Sequence, residues 1–225
     1  MSLEIIDVEQ GTEEWHDARR GIVTASVVGQ LITAKTLKPA ANDTARGLTA
    51  TLVAERITGW TEPTHTSDDM MRGIFDEPLA RDLYSEHFAP VRECGFMVLT
   101  LAHGERLGYS PDGLVGTDGL IEVKSRRPKR HLATILADEV PVENMAQIQA
   151  GLLVSGRWWC DYISYAGGMP MWVKRVGRDP RWFDAIGEAV EAFETTAAEM
   201  VTAYARSVEG LPATKRNDYY REIEV

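Results

Sequence analysis

Residues 110–124 read SPDGLVGTDGLIEVK and place Asp112 ten positions before Glu122. The Pro-Asp-Gly triplet at its start is typical of a turn. Residues 119–125 alternate with a period of two, which predicts a β-strand. Because residues i and i+2 of a strand point to the same face, Glu122 and Lys124 are expected to project together. A hairpin return of the chain would bring Asp112 beside Glu122.

Two carboxylates in this arrangement suit a hard divalent cation, Mg²⁺ or Mn²⁺, which prefers oxygen ligands. The backbone carbonyl of Val123 is a further candidate ligand. Lys124 would lie next to the attacking water and orient or deprotonate it for reaction at phosphorus. The same residues also occur as an exposed Glu–Lys pair after a surface turn. We favour the metal site over the exposed pair, because charged side chains without a partner are costly on a strand that is otherwise apolar. In addition, Gln147 and Glu77 lie in neighbouring predicted helices.

Working outward from this stretch, the hydrophobic pattern predicts an α/β (α+β) chain with a mixed sheet flanked by helices. Thr12, Thr24 and either Asn42 or Asp43 are candidate helix caps, and Gly59 is a candidate stop. The predicted strands cover 91–101, 106–110, 119–125, 158–166 and 170–176, the last two as a hairpin. The predicted helices cover 12–20, 24–34, 44–58, 71–88, 128–138, 142–154 and 180–206. One domain over residues 1–225 is the simplest organisation, with a loosely held tail over about 207–225.

The helix predicted over 71–88 contains Pro78, which indicates either a kink or a start nearer Asp76. Its apolar face is expected to consist of Ile74, Phe75, Leu79 and Leu83.

The composition limits the kinds of binding partner and the cellular compartment that we expect for this protein. The formal net charge is −10 and the pI is near 5.0, which argues against a generic nucleic-acid coat protein. We expect no signal peptide and no membrane span, because the N-terminus lacks the required pattern and no long apolar run occurs. Two cysteines without CxxC spacing fit a reduced, cytoplasmic protein. The five histidines lack zinc-site spacing, and no phosphate-binding GxxxxGK[ST] loop occurs.

Five separate stretches carry a resemblance to a known family. The sequence resembles the PD-(D/E)xK nuclease superfamily, and within it the phage lambda exonuclease, or YqaJ-like viral recombinase, family. The opening string is the most specific of the five, and all occur in the family's order. The stretches are WHDARRGIVTAS at 15–26, RGIFDEPLARDLYSE at 72–86, SPDG at 110–113, GLIEVK at 119–124 and MAQIQ at 145–149.

The resemblance implies a role for each matching residue. Asp112, Glu122 and the Val123 carbonyl would bind the metal, and Lys124 would act on the attacking water. Glu77 would support the metal site, directly or indirectly, and Gln147 would orient the nucleophile. Residues implied to bind a terminal 5′-phosphate are Arg19, Ser26 and Ser110, with Trp15 packed beside them, Lys35 or Lys38 after the second helix, and Lys129 or Arg130 after the strand.

The proposed phosphate pocket also has physical sense of its own. An arginine fork with two hydroxyl groups makes a compact site for a dianion. Ser26 is expected near the start of a helix, whose free N–H groups favour phosphate.

The activity that the resemblance implies is a Mg²⁺-dependent 5′→3′ exonuclease on double-stranded DNA ends. Such an enzyme would release 5′-mononucleotides and leave a 3′ overhang for phage-type recombination. The resemblance further implies a ring-shaped homotrimer and a single-strand annealing protein as partner. The alternatives are an endonuclease of the same superfamily, a DNA-end-binding module without catalysis, and a small-molecule phosphohydrolase.

The position of the charges modifies what the net charge implies. Acidic residues concentrate in 9–17, in 68–93 and on the final helices. We therefore predict a basic inner face that attracts DNA and an acidic exterior that repels it. The cations of the inner face would be Lys124, Arg126, Arg127, Lys129 and Arg130, supplemented by Arg19, Arg20 and Lys35.

Overall fold

The computed structural model describes residues 1–63 and 67–216, so the part of the predicted tail beyond residue 216 lies outside the described residues. Its helices are α1 (Glu13–Arg19), α2 (Ala25–Val28), α3 (Asp43–Thr58), α4 (Asp68–His87), α5 (Pro128–Ala137), α6 (Val142–Ser155) and α7 (Pro180–Ser207), with a 3₁₀ turn at Gly29–Leu31. Its strands are β1 (Ser2–Ile6), β2 (Val23–Thr24), β3 (Ile32–Thr33), β4 (Lys38–Pro39), β5 (Val91–Arg92), β6 (Phe96–Thr100), β7 (Arg106–Tyr109), β8 (Gly113–Val115), β9 (Gly119–Ser125), β10 (Trp159–Tyr165) and β11 (Trp172–Gly177).

The strand β9 lies at the centre of a five-stranded mixed sheet with the order β11-β10-β9-β8-β5. β9 and β10 run parallel, and the other neighbours in this sheet are antiparallel. A second sheet has the order β1-β6-β7-β2, and β3 pairs with β4 in a short ribbon. The chain leaves the four-stranded sheet at the end of β7 and enters the five-stranded sheet at β8, so Asp112 lies at the junction.

Helices cover the two faces of the five-stranded sheet. On one face α6 packs against β10, and it also packs against β6 and β7 of the four-stranded sheet. Its largely apolar sequence fits burial on several sides. On the other face α4 packs against β9, β10 and β5. Ile121, Val123 and Ile163 point towards α4, whereas Leu120 and Tyr162 belong to the core that includes α6 and α7. The alternation along β9 therefore places Glu122 on the α6 side of the sheet.

Several predicted boundaries are confirmed. The Thr12 side chain accepts a hydrogen bond from the Trp15 backbone N–H, and the Asn42 side chain does the same for Ala45, as helix caps do. Gly59 ends α3 in the left-handed conformation, which glycine adopts without strain. The hairpin formed by β10 and β11 and the long helix α7 also match the prediction.

The helix predicted over 24–34 is wrong. Only Ala25–Val28 is α-helical, and after the 3₁₀ turn Ile32 and Thr33 form a strand that pairs with Lys38 and Pro39. The β-branched residues of this segment favour extended backbone. Thr24 lies at the helix start but makes no side-chain capping hydrogen bond.

The helix α4 differs from its prediction in its start and in its buried face. It begins at Asp68, with Ser67 as its cap, and runs through Pro78, so a start nearer Asp76 is wrong. The predicted apolar face is also wrong. Ile74, Phe75 and Leu79 are 62%, 67% and 55% exposed, whereas the buried residues of α4 are Ala80 and Tyr84.

The sheets contain strands that the pattern did not predict. β1 and β8 were not expected, and the segment 91–101 divides into β5 and β6, which belong to different sheets. Short strands of this kind are recognised mainly by their partners rather than by their own periodicity. Among the described residues, no helix combines the length and apolar composition that a membrane crossing requires.

Candidate active site

Asp112 lies across from Glu122, as the hairpin argument predicts. β8 and β9 pair with Gly113 opposite Ile121, so the next position in the same register places Asp112 opposite Glu122. The Val123 backbone N–H donates to Asp112 Oδ2 at 2.7 Å, and this bond fixes the carboxylate at the edge of β9. Burial, followed by the negative charges of Glu122 and Glu77, raises the pKa of Asp112 well above its usual range.

Glu122 is fully buried, with 0% of its surface exposed. Its Oε1 accepts a hydrogen bond from Lys124 Nζ at 2.6 Å. Its Oε2 is buried and has no hydrogen-bond partner among the described residues. A buried carboxylate oxygen without a donor is costly, and a cation bound there would remove that cost.

Lys124 connects the carboxylates to α6. Its Nζ donates to Glu122 and also to Gln147 Oε1 at 3.0 Å. Burial lowers the pKa of Lys124, but the negative charges of Glu122 and Asp112 raise it more, so that the pKa reaches about 12. Without a metal ion the side chain is therefore an ammonium group that donates hydrogen bonds.

Glu77 approaches the carboxylate pair from α4 but is held by another residue. Its Oε1 accepts from Arg81 at 2.7 Å. Burial raises its pKa, Arg81 opposes this shift, and Glu122 adds to it. Glu77 therefore lies within electrostatic reach of Glu122, and in this arrangement its contact is with Arg81.

The donor set suits Mg²⁺ more than a metal that needs a complete protein cage. Within residues 1–63 and 67–216, no three His, Cys, Asp or Glu side chains converge closely enough to enclose an ion. Mg²⁺ is typically held by one or two carboxylates and retains several waters. Asp112 and Glu122, with the carbonyl of Val123, the residue after Glu122, could hold such an ion, and the unpartnered Oε2 of Glu122 fits a metal ligand.

Trp15 joins the predicted phosphate-binding residues. Its indole Nε1 donates to Ser110 Oγ at 2.8 Å, and the Arg19 guanidinium lies 3.7 Å from the centre of its ring. Burial lowers the pKa of Arg19 to about 10, although Glu55 opposes the shift. Arg19, Trp15 and Ser110 therefore form one cluster, and Ser110 is only two residues before Asp112.

Ser26 lies near this cluster and, as predicted, near the start of a helix, but that helix, α2, is short. β2 and β7 run parallel with Thr24 opposite Gly108, and Ser26 and Ser110 each follow two residues later. Ser26 is exposed, and its hydroxyl lies 3.1 Å from that of Thr24. Because α2 has only four residues, its N-terminus offers little of the dipole that a longer helix would supply.

The basic residues left open by the resemblance are all exposed at the surface. Lys38 contacts Glu188 at 3.4 Å, whereas Lys35, in the turn before β4, has no ion pair with a described residue. This geometry favours Lys35 of the two. Lys129 and Arg130 both lie exposed in the first turn of α5, and the structure does not favour either.

Two groups of contacts near the site were not predicted. Arg126, expected only as a cation of the basic inner face, donates to Asn144 and to the Tyr162 hydroxyl, and its position two residues after Lys124 was the signal available in the sequence. Ser125 donates to Asp76 and accepts from Arg72. This second group ties α4 to the end of β9, and only the packing of the helix could have shown it.

A known protein family matches the part of the chain that contains this site. The profile of the YqaJ-like viral recombinase domain matches residues 14–158. The chain belongs to the YqaJ-like viral recombinase family. The match includes the Trp15 cluster, the two carboxylates and Lys124, and it confirms the resemblance found in the sequence.

Solved structures agree with this family. The alkaline exonuclease LHK-Exo from Laribacter hongkongensis is 32% identical, with a TM-score of 0.78 over 89% of this chain and 100% of that chain. A structure of LHK-Exo in complex with dAMP matches with a TM-score of 0.79 over the same shares of the two chains, also at 32% identity. A phage-related exonuclease from Haemophilus somnus 129PT shares the fold at 13% identity, with a TM-score of 0.63 over 81% of this chain and 96% of that one.

A search of curated protein sequences finds no significant match. The fold of this YqaJ-like family member is that of the PD-(D/E)xK nucleases, and the chain is an enzyme, a deoxyribonuclease.

Proposed function

We propose that the protein is a Mg²⁺-dependent 5′→3′ exonuclease on double-stranded DNA ends. It releases 5′-mononucleotides and leaves a 3′ overhang for phage-type recombination. The observation that carries this proposal is the convergence of Asp112, Glu122 and Lys124. Asp112 lies only two residues after Ser110 of the predicted phosphate pocket. The structure of LHK-Exo with dAMP supports it, because a deoxynucleoside monophosphate is the kind of product that the reaction requires.

The carboxylate pair is the part of the site that would hold the ion. Asp112, Glu122 and the Val123 carbonyl would bind Mg²⁺, with Mn²⁺ as a substitute, and Glu77 would act indirectly through its charge. When bound, the ion neutralises the carboxylates and stabilises the negative charge that develops on the attacked phosphate.

Lys124 has the geometry to orient the attacking water. Two of the three N–H groups of its ammonium are engaged by Glu122 and Gln147, which leaves one for the water or a phosphate oxygen. Gln147 limits the rotamers of Lys124 from the α6 side and helps to orient the nucleophile. Holding reactants in this way lowers the entropic part of the barrier.

The end of the DNA strand would be recognised by the cluster around Trp15. Arg19, Ser110 and Ser26 would bind a terminal 5′-phosphate, and Trp15 holds Arg19 and Ser110 in place. A 5′-phosphate bound there lies next to the carboxylate pair, which supports attack near the 5′ end. Lys35 is the candidate for an additional contact, and Lys129 or Arg130 for a contact beyond β9.

The wider organisation follows the family resemblance. We propose one nuclease domain over residues 1–225, a ring-shaped homotrimer around the duplex, and a single-strand annealing protein that receives the overhang. A cytoplasmic location fits these partners. Closure of a ring around DNA would give processivity through topology.

Polarity is tested with two labelled linear duplexes, one labelled at a 5′ end and one at a 3′ end of the same strand. With Mg²⁺, the 5′ label should appear at once as a mononucleotide, and the 3′ label should stay on a strand that shortens gradually. A 5′-hydroxyl end should be degraded more slowly than a 5′-phosphate end. Immediate release of the 3′ label would contradict the proposed polarity.

A further inference from the structure

Arg126 is held beside the candidate site by residues of two neighbouring elements. Its backbone N–H donates to the Tyr165 carbonyl at 2.7 Å, so Arg126 directly follows the last pair of β9 with β10, Ser125 with Tyr165. Like Lys124, it points to the α6 side of the sheet, where it contacts Asn144. Its guanidinium donates to the Tyr162 hydroxyl at 2.9 Å and to Asn144 Oδ1, and the Tyr162 hydroxyl donates to the same oxygen at 3.2 Å.

Among the described residues, this largely buried arginine has no carboxylate oxygen closer than 3.9 Å. Only 12% of its side chain is exposed, and the oxygen at 3.9 Å belongs to Glu143, which is itself more than half exposed. Its Nε is buried and has no acceptor among the described residues. Arg56, Arg81 and Arg175 differ, because each has a carboxylate oxygen within 2.8 Å.

Arg19 shows a similar pattern. It is partly buried against Trp15, and the described residues include no carboxylate within 4 Å of its guanidinium. A desolvated arginine without a carboxylate is costly in the free protein. A guanidinium in that state suits a ligand that brings its own negative charge, and phosphate matches its fork of donors.

We propose that Arg126 binds a phosphate of the DNA strand adjacent to the phosphate that is cleaved. The proposal rests on the proposed nuclease function and assigns a further DNA-binding residue to the same site. Lys124 and Arg126 are two residues apart in extended chain, which separates their backbone positions by about 6.6 Å. A DNA strand carries one charge for each ~3.4 Å of helix axis, so the two side chains can contact different phosphates of one strand.

Asn144 and Tyr162 hold the guanidinium for this contact. Both side chains are buried, and both engage the same terminal nitrogen of Arg126. The rest of the fork is left for the phosphate. Asn144 lies one helical turn before Gln147 on α6, so the helix that orients Lys124 also orients Arg126.

The proposal is tested by comparing Arg126→Gln with Arg181→Gln. The control removes the same charge from an exposed side chain at the start of α7, which pairs with Asp179 and belongs to no predicted DNA-binding surface. Binding of a labelled, 5′-phosphorylated duplex is measured by fluorescence anisotropy over a range of salt concentrations. Ca²⁺ replaces Mg²⁺, and a gel shows that the DNA stays intact.

Arg126→Gln should weaken binding roughly tenfold or more, because a charge-assisted hydrogen bond is lost. It should also lower the slope of log K against log salt by about 0.9, the value for one phosphate contact. Arg181→Gln should weaken binding by less than about threefold. Equal effects of the two substitutions, or no effect of Arg126→Gln, would overturn the proposal.

A second measurement does not depend on the folding of Arg126→Gln. Duplexes carry one uncharged methylphosphonate at the first, second or third internal linkage of the strand to be cut. In the wild type, one position should weaken binding roughly tenfold, and Arg126→Lys should reduce this sensitivity at that position alone. If wild type and Arg126→Lys respond alike at all three positions, Arg126 does not contact a phosphate there.

The unmodified duplex separates this proposal from the proposed function. If the wild type does not shorten it with Mg²⁺, the nuclease proposal fails whatever Arg126 does. If the wild type shortens it and Arg126→Gln binds as tightly as the wild type, only the phosphate contact is wrong.

Discussion

Glu122 shows at the scale of one residue how the site is stabilised and where it is strained. Its buried carboxylate has Lys124 on one oxygen and no donor on the other. Asp112 stands opposite in the same register. Two acids in a desolvated place repel each other, and the single positive charge of Lys124 offsets only part of this repulsion. Without metal the site should therefore lower the stability of the fold that supports it.

Substitution Asp112→Asn should abolish nuclease activity and yet raise the melting temperature of the metal-free protein at neutral pH. Asparagine keeps the shape and can still accept from the Val123 N–H, while the repulsion with Glu122 disappears. Each kcal/mol relieved should raise the melting temperature by roughly 2–4 °C in a chain of this size. Thermal unfolding with EDTA measures the effect.

The pH dependence follows from the direction of the pKa shift of Asp112. Its folded pKa lies above the unfolded value of 3.8, so its contribution to stability is largest below that value. The contribution is lost as the pH rises through the folded pKa. The advantage of Asp112→Asn should therefore grow from acid towards neutral pH, and Mg²⁺ should stabilise the wild type more than the variant. A metal-free variant that melts below the wild type at neutral pH would contradict this.

At the scale of elements, α4 shows what a sequence pattern can and cannot predict. Periodicity indicates which residues share a helix face, but it does not determine which face meets the sheet. α4 packs through Ala80 and Tyr84 and leaves Ile74 and Phe75 exposed. Its contact with the sheet depends on partners distant in sequence, since the Tyr84 hydroxyl donates to Asp161 at 2.6 Å.

The candidate site was easier to predict because its parts lie close in sequence. A turn and the alternation of one strand were enough to place Asp112, Glu122 and Lys124 together. Gln147 reaches the site from α6, a helix whose position the sequence predicts. The contacts of Arg126 required the neighbour β10, whose register with β9 no local pattern indicates.

Gly151→Ala should destabilise the protein by about 1–3 kcal/mol although alanine favours helix more than glycine. A Cβ at this position of α6 would lie 2.7 Å from the ring of Tyr109 in β7, which is buried. Gly187→Ala in α7 is the matched control, because a Cβ there meets nothing within 4 Å. The control should stabilise by about 0.5–1 kcal/mol. Urea unfolding measures both, and the same sign for the two substitutions would contradict the packing of α6 on β7.

Asp161→Asn should weaken the attachment of α4 and β11 to β10. Asp161 is buried, receives two hydrogen bonds from Arg175 and one from Tyr84, and loses its charge in the variant. Because Arg175 is partly exposed, the expected cost is about 1–3 kcal/mol of unfolding free energy.

The control for this substitution is Asp138→Asn. Asp138 pairs with Lys174 next to Arg175, but both groups are exposed. Its left-handed backbone suits asparagine as well, so stability should not change measurably. Equal loss of stability in the two variants would show that burial of Asp161 contributes nothing.

Across the whole molecule, the net charge of −10 does not show that the basic residues after Asp112 lie in different environments. Lys124 and Arg126 are held inside the site, Arg127 pairs with Asp69, and Lys129 and Arg130 are exposed. A basic inner face with an acidic exterior stays a prediction. It is consistent with DNA binding by a chain whose composition alone argues against it.

Asp112 and its neighbours should cleave DNA only from an end and only with a divalent metal ion. A digestion experiment compares a linear plasmid with the same plasmid as a covalently closed circle, with Mg²⁺ or with EDTA, for the wild type and for Asp112→Ala. The wild type should degrade the linear form with Mg²⁺ alone and leave the circle intact, and Asp112→Ala should degrade neither. Nicking or linearisation of the circle, degradation in EDTA, or full activity of Asp112→Ala would contradict the claim.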